Sequence, residues 1–197
     1  MSQIKNIVEA LILSSGEPLS ADKIHKIITS KESCTKADIL EAIESLKIDY
    51  TEKEIEISRV ASGFRIQAKS SINDFLNIIY AEKTPRYSRA LMETLSIIAY
   101  KQPVTRGDIE SIRGVSVSSS IMRTLTDRNW IKIVGYRDVP GKPAMFSTTN
   151  EFLDYFGLKR LSDLPDLPEV KEPQNLSLEL EPNLEKGHNP VSPDQIN

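Results

Sequence analysis

One motif occurs twice in this sequence, first as Pro18-Leu19-Ser20-Ala21-Asp22-Lys23-Ile24 and later as Pro103-Val104-Thr105-Arg106-Gly107-Asp108-Ile109, and it decides the fold. Each copy follows an apolar segment with helical spacing and contains a hydroxyl residue, Ser20 or Thr105, shortly before an aspartate. The hydroxyl oxygen can accept a hydrogen bond from a free N–H in the first turn of a helix, where an acid also interacts favourably with the helix dipole. The motif is therefore a helix start. Two such starts in matching surroundings predict a domain that is built twice.

The first half of the chain has three segments with helical spacing, followed by two with strand spacing. Apolar residues recur at intervals of three and four over residues 4–12, after Ser20, and over residues 35–50, which predicts three amphipathic helices. Apolar residues then alternate with polar ones on either side of Gly63, which predicts a β-hairpin. Three helices followed by a hairpin are the order of a winged-helix domain.

The second half repeats this order. Helical spacing over 91–99, 109–112 and 117–129 is followed by a hairpin with strands Trp130–Tyr136 and Ala144–Thr148. We therefore expect a mainly α fold with small β-hairpins (α+β), built as two tandem winged-helix domains.

The expected N-terminal domain covers residues 1–83 and ends with a connecting helix, and the expected C-terminal domain covers residues 84–168. From Ser162 onward the chain has eight acids and two bases, whereas the whole chain has a net charge of only −3. The segment 169–197 is acidic and contains several prolines, and this composition predicts a disordered tail.

The composition argues against catalysis. Cys34 is the only cysteine, so no intramolecular disulfide can form and a reducing compartment is expected. The chain has no glycine-rich phosphate loop and no zinc-spaced Cys/His cluster, and its two histidines, His25 and His188, suggest no Ser-His-Asp set. We therefore expect no enzyme activity, no cofactor and no metal. Charged residues interrupt Met1–Ser15, and no apolar run reaches the ~20 residues of a membrane span, so we expect a cytoplasmic protein without a signal peptide.

A long segment runs through the second copy of the motif, Leu95-Ser96-Ile97-Ile98-Ala99-Tyr100-Lys101-Gln102-Pro103-Val104-Thr105-Arg106. Shorter segments follow it: Ile112-Arg113-Gly114-Val115, Arg123-Thr124-Leu125, Asp138-Val139-Pro140-Gly141-Lys142-Pro143 and Phe152-Leu153-Asp154-Tyr155-Phe156-Gly157-Leu158-Lys159. Together they resemble the bacterial segregation and condensation protein B family. The resemblance is dense over 91–168 and weaker but collinear over 4–83. Val117-Ser118-Ser119-Ser120 departs from the pattern, because many relatives have an acid-glycine turn there.

The resemblance implies a non-enzymatic subunit of the complex that condenses and partitions bacterial chromosomes during the cell cycle and cell division. Family members are similar in forming homodimers and in binding the kleisin subunit, which bridges the heads of an SMC ATPase. We therefore expect a homodimer that contacts a kleisin of the segregation and condensation protein A type. The SMC ATPase would be reached through the kleisin, and its heads would be modulated in this way. DNA would be contacted indirectly or weakly, in association with the nucleoid, and no membrane would be contacted.

The family pattern is densest where the first helix of the second half ends and in the second wing. The residues expected to bind the kleisin are Tyr100, Lys101, Gln102, Pro103, Arg106, Arg113, Arg137, Asp138, Pro140 and Lys142. The first helix of the chain has a broad apolar face, so the N-terminal domain is expected to form the dimer. The residues expected at the dimer interface are Ile4, Ile7, Leu11 and Ile28.

Two other classes of function are alternatives: a DNA-binding transcriptional regulator, and a hydrolase or transferase. A winged helix often binds DNA, and the segment 117–129 would be the reading helix of a transcriptional regulator. Its charged residues are Arg123, Asp127 and Arg128, which make a poor phosphate-neutralising face. A hydrolase or transferase would need a metal or cofactor that the sequence has no visible means to hold. Trp130, the only tryptophan, is expected in the core rather than at an interface.

Overall fold

The first half of the chain forms three helices and a hairpin, in a computed structural model that describes residues 2–80 and 87–167. The elements are α1 (Ser2–Ser14), α2 (Ala21–Thr29), α3 (Lys36–Asp49), β1 (Ile55–Val60) and β2 (Gly63–Ala68). A 3-10 turn at Ser70–Ile72 then leads into α4 (Asn73–Tyr80). The expected disordered tail at 169–197 and the end of the expected N-terminal domain at residue 83 lie outside the described residues.

The second half repeats the order of three helices and a hairpin, with a short strand before its second helix and a short helix after its hairpin. Its elements are α5 (Arg89–Lys101), β3 (Val104–Thr105), α6 (Arg106–Arg113), α7 (Ser119–Asp127), β4 (Ile131–Tyr136), β5 (Ala144–Thr148) and α8 (Asn150–Tyr155). A 3-10 turn at Leu161–Asp163 follows. The predicted class, mainly α with small antiparallel hairpins in two tandem winged helices, is confirmed.

The repeated motif fixes the sheet of each half through its aliphatic residue. Leu19 exchanges two backbone hydrogen bonds of 2.9 Å with Phe64 on β2. Val104 on β3 lies opposite Phe146 on β5 in the same way, within a sheet of strand order β3-β5-β4. Each copy therefore adds a short strand to its wing immediately before it starts a helix.

Gly63 is required for the first of these contacts. Its φ is +150°, and a Cβ atom added there would lie 2.2 Å from the carbonyl carbon of Leu19. No L-amino acid side chain can be placed at that distance from a backbone atom, so only glycine lets β2 approach the motif.

The helix starts are those that the sequence predicts. Ser20 accepts a hydrogen bond from the N–H of Lys23, and Thr35 and Thr105 each form a reciprocal capping box with an aspartate three residues later. The third helix of the second half is shorter than the predicted 117–129, because Ser118 caps it at one end and it ends before Asn129, whose φ is +55°.

Each half has its own hydrophobic core. In the first half α1 packs on α3, and Ile24, Ile39 and Ile43 are fully buried beneath the wing. In the second half Ile98, Ile109 and Leu125 occupy the equivalent place. Trp130 is 2% exposed in this core, which confirms the expectation for the lone tryptophan.

The tip of the first wing reaches the second half. The N–H of Ala61 donates to the carbonyl oxygen of Leu158 at 3.0 Å, and the N–H of Ser62 donates to Oδ1 of Asp154 at 2.9 Å. Arg65 Nη1 donates to the carbonyl oxygen of Asp154 at 2.8 Å, at the end of α8. Residues up to Leu164 accordingly form one compact unit. Across the described ranges, no helix has both the length and the apolar character that crossing a membrane requires.

Candidate partner-binding surface

The start of α6, which lies within the predicted kleisin surface, is fixed by a capping box. The N–H of Asp108 donates to Thr105 Oγ1 at 3.2 Å, and the N–H of Thr105 donates to Asp108 Oδ2 at 2.8 Å. Gly114, with φ +70°, ends the helix in the left-handed conformation. α6 therefore has defined ends, and its side chains project from a fixed frame.

Arg137 joins the second wing to this helix start. Its two terminal nitrogens donate to the two carboxylate oxygens of Asp108, at 2.9 Å and 2.7 Å. The hydrogen bonds from Arg137, followed by that from the Thr105 N–H, lower the pKa of Asp108 to about 2. The pKa of Arg137 is raised in turn by its bond to Asp108. A bidentate pair of this kind fixes orientation as well as distance, so the wing is held against α6.

Arg106 holds the loop between α6 and α7. Its Nε donates to Glu110 Oε1 at 3.1 Å, and its terminal nitrogens donate to Ser119 Oγ and to the carbonyl oxygen of Val117. Glu110 also accepts the N–H of Val117 at 2.9 Å, and this bond, more than the one from Arg106, lowers the pKa of Glu110. The guanidinium of Arg106 is thus committed within its own chain.

Gln102 joins the end of α5 to β5. Its Oε1 accepts hydrogen bonds from the N–H and the Oγ1 of Thr148, at 2.7 Å and 3.0 Å, and one from Ser147 Oγ. Its Nε2 donates to the carbonyl oxygen of Ala99 at 3.1 Å. The following bond, to Pro103, is cis. Gln102 was expected to bind the partner, and its amide instead has several acceptor and donor contacts inside the fold.

Arg113 lies mostly inside the protein. Its side chain is 9% exposed, and Nη2 is 3.4 Å from Glu93 Oε2. Its buried Nε has no hydrogen-bond partner among the described residues. The pKa of Glu93 is lowered chiefly by a hydrogen bond from Arg89 and also by the one from Arg113. Arg113 therefore ties α6 to α5 and offers little of its guanidinium to a partner.

The other predicted kleisin residues lie at the surface. Lys101, Pro103, Asp138, Pro140 and Lys142 are exposed, and Tyr100 is half-buried against the second core. The fold thus brings the predicted kleisin residues together around α6 and the second wing. Some of them bond within the chain and fix the shape of this surface, and the others are exposed, where a partner can contact them.

Sequence reasoning missed several exposed apolar residues beside this set. Ile133, Val134 and Tyr136 on β4 are 54%, 48% and 64% exposed, and Val139 in the wing turn is 43% exposed. The hairpin itself was predicted, but a strand pattern does not show how far the core extends beneath it. In the sequence, only their position next to the family segment 138–143 indicated that these apolar residues could belong to a binding surface.

The predicted dimer residues are largely enclosed by their own half. Ile28 is 4% exposed, and Ile4, Ile7 and Leu11 are half-buried against the first core. Exposed apolar side chains of this half cluster on α4, where Phe75, Ile78 and Ile79 are 69%, 77% and 66% exposed. The apolar face of α1 was correctly recognised, but much of it covers its own core.

The helix that would read DNA offers few available cations. Arg123 on α7 is 3.5 Å from Asp127. The Arg128 guanidinium lies over the rings of Tyr87 and Trp130, at 4.9 Å and 5.3 Å from their centroids. Among the described residues, no group of three or more His, Cys, Asp or Glu side chains could hold a metal ion.

Comparison with known proteins shows the following. The family model described as "Segregation and condensation complex subunit ScpB" matches residues 6–167. A segregation and condensation protein B homolog of Coxiella burnetii is 45% identical over 172 residues, which are 86% of this chain and 82% of that protein. Segregation and condensation protein B of Geobacillus thermodenitrificans is 41% identical over 186 residues, 92% of this chain and 87% of that protein. The crystal structure of ScpB from Mycobacterium tuberculosis is 28% identical and covers 80% of this chain and 96% of its own, with a TM-score of 0.36.

Proposed function

This chain belongs to the family of segregation and condensation complex subunit ScpB, and on that premise we propose that it is a homodimeric, non-enzymatic subunit of a bacterial SMC–kleisin complex. It binds the kleisin and, through the kleisin, modulates the heads of the SMC ATPase. DNA is reached indirectly, in the cytoplasm at the nucleoid. The chemistry of this function is recognition, with no covalent bond made or broken.

The C-terminal domain, residues 84–168, supplies the kleisin surface in this proposal. The observation that carries it is the bidentate pair between Arg137 and Asp108, which holds the second wing against α6 before any partner arrives. A preformed surface loses less conformational entropy on binding than a mobile one. Lys101 and Lys142, exposed on this surface, add charge that speeds and orients association.

The N-terminal domain, residues 1–83, supplies the dimer contact. Support comes from α4, whose apolar side chains Phe75, Ile78 and Ile79 are each more than 60% exposed. Between Phe75 and Tyr80 the helix has no charged residue, so two copies can meet there without repulsion between like charges. We include α4 in the interface, together with the half-buried residues Ile4, Ile7 and Leu11.

Size-exclusion chromatography with multi-angle light scattering tests dimer formation and kleisin binding together. The full chain should elute as a dimer by itself and as a discrete larger species when mixed with its cognate kleisin. The mass of that species gives the stoichiometry. A particle whose mass is unchanged by the kleisin would contradict the proposed function.

Charge reversal tests the placement of the kleisin surface. The double variant Lys101→Glu/Lys142→Glu should lower kleisin affinity at least tenfold in calorimetry, because both lysines are exposed on the proposed face. Lys26→Glu is the control for charge reversal as such, since Lys26 is also exposed, on α2 of the other half. Equal affinities for the double variant and the wild type would place the kleisin elsewhere.

The alternative, a DNA-binding regulator, is favoured only by the winged-helix fold itself. It requires tight, sequence-selective duplex binding that weakens steeply with salt. The engagement of Arg123 and Arg128 within the chain argues against it. A salt titration of duplex binding by the isolated protein separates the two functions.

A further inference from the structure

β4 is an edge strand with one side unpaired. The sheet order is β3-β5-β4, so that β4 pairs with β5 on one side and has no strand neighbour on the other within the described parts of the chain. Unpaired N–H and C=O groups on a strand edge can pair with an added strand. The outer edge of β4 is thus a candidate binding site made of backbone.

The hydrogen-bond pattern shows which backbone groups face outward. Trp130 accepts a hydrogen bond from Thr149, and Arg137 donates one to Pro143, so both face the β5 side. Along an antiparallel strand, the N–H and C=O groups of successive residues point alternately toward and away from the paired strand. The bulge between Ile133 and Gly135 shifts this alternation by one residue. Ile133 and Tyr136 therefore point their N–H and C=O groups away from β5.

The side chains on this edge are apolar and exposed. Ile131 is 2% exposed, but Ile133, two positions along the strand, is 54% exposed, so the core ends between them. Val134 and Tyr136 extend the apolar surface. Natural proteins often protect an exposed strand edge with charged residues, proline or a bulge. β4 has one lysine, Lys132, among six residues and a bulge between Ile133 and Gly135, so charge protects little of this edge.

The charge of the hairpin indicates which charge a bound segment should have. Residues 131–148 contain three bases, Lys132, Arg137 and Lys142, and one acid, Asp138. Arg137 is already paired with Asp108, whereas Lys132 and Lys142 are exposed. An acidic segment is complementary to this hairpin, and a basic one is repelled.

We propose that the outer edge of β4 receives an extended segment of the kleisin, rich in aliphatic and acidic residues, which adds to the sheet as a further strand. Main-chain bonds to Ile133 and Tyr136 give the affinity, and contacts with Val134 and the exposed lysines select the segment. The inference rests on the kleisin binding proposed above and states how that binding is made.

Amide hydrogen exchange on the full chain, with and without the cognate kleisin, tests the inference directly. The N–H groups of Ile133 and Tyr136 should exchange at least tenfold more slowly in the complex. The N–H of Lys132 faces β5 by the same alternation and should change little. A helix that only packs against the apolar side chains would leave the outward N–H groups exchanging as in the free protein.

Substitution provides the second test. Ile133→Glu should lower kleisin affinity at least tenfold, because it removes an apolar contact and places a negative charge against an acidic segment. Ile48→Glu on α3 is the matched control, since Ile48 is 73% exposed in the other half. Chromatography with light scattering verifies that both variants keep the wild-type oligomeric state.

The outcomes separate this inference from the function on which it rests. Kleisin binding without protection at Ile133 and Tyr136, or with full affinity in Ile133→Glu, overturns strand addition and leaves the adaptor function standing. An absence of kleisin binding by the wild-type chain overturns both.

Discussion

Ser62, at the tip of the first wing, donates its backbone N–H to Oδ1 of Asp154 on α8, 92 positions away in sequence. Arg65 on the same wing bonds to the carbonyl oxygen of Asp154. Asp154 therefore accepts two hydrogen bonds that join the two halves of the chain, beside the bond from Ala61 to Leu158.

We expect Asp154→Ala to lower the free energy of unfolding by about 1–3 kcal/mol, because it removes the acceptor of a partly buried N–H. Asp154→Asn keeps an oxygen at that position and should recover much of the loss. Urea unfolding of the two variants beside the wild type provides the measurement. Equal stabilities for Ala and Asn would show that the side-chain bond contributes nothing.

The ion pair between Asp108 and Arg137 should make stability depend on pH below 4. The pKa of Asp108 is about 2 in the folded protein, below its ordinary value of 3.8, so its contribution is present above pH 4 and is lost as the pH falls toward 2. Asp108→Asn should flatten this part of the thermal-unfolding profile. Asp138→Asn removes the same charge from an exposed neighbour of Arg137 and is the control, which should keep the wild-type slope.

Gln102 and Lys101, adjacent in sequence, should behave in opposite ways. Gln102→Ala leaves the N–H and hydroxyl of Thr148, which is 8% exposed, without their acceptor and should cost about 1–3 kcal/mol of stability. Lys101→Ala should leave stability unchanged and weaken kleisin binding. Paired unfolding and calorimetric titrations would contradict this assignment if Gln102→Ala proved fully stable.

The dimer prediction can be tested on α4. The double variant Phe75→Ser/Ile78→Ser should be a folded monomer in light scattering, because it removes two of the most exposed apolar side chains of the N-terminal half.

Ile28→Ala provides the contrast, since Ile28 is 4% exposed. It should cost about 2–5 kcal/mol of stability through the cavity it leaves, without a specific effect on dimer formation. A dimer that persists in the α4 variant would exclude α4 from the interface.

Gly63→Ala should be strongly destabilising, because the added Cβ would lie 2.2 Å from the carbonyl carbon of Leu19. Gly16→Ala is the matched control. Gly16 also has a positive φ, of +65°, but an added Cβ would meet nothing within 4 Å. The difference between the two midpoints of thermal unfolding measures the effect of the contact with Leu19 together with that of the larger positive φ at Gly63.

Local features of the fold could be read from sequence because they depend on neighbouring residues. The capping boxes at Thr35 and Thr105 and both hairpins are set by residue types within a few positions of each other. The contact between Ser62 and Asp154 could not be predicted, because it depends on how two separate hydrophobic cores meet.

On the candidate surface, too, the sequence indicates local features but not the contacts between distant residues. Arg106, Arg113 and Arg137 were expected to face a partner, because the family pattern is dense around them. In the structure each bonds to a residue or loop of its own chain, which residue type alone does not indicate. The exposure of Ile133 was also invisible, because alternation within a strand predicts which residues share a face but not where the core stops.

The pairing of Leu19 with Phe64, and of Val104 with Phe146, leaves the wing turns free to differ in length. The first turn has two residues, Ala61 and Ser62, between its strands, whereas the second extends over 137–143. The first is held by α8, whereas the backbone hydrogen bonds of Val139 and Lys142 stay within the second turn, so that the second can be lengthened or replaced without loss of a backbone bond to a helix. Residues 138–142 are accordingly the natural place to graft a foreign loop, and such a chain would carry a new binding specificity on an unchanged scaffold.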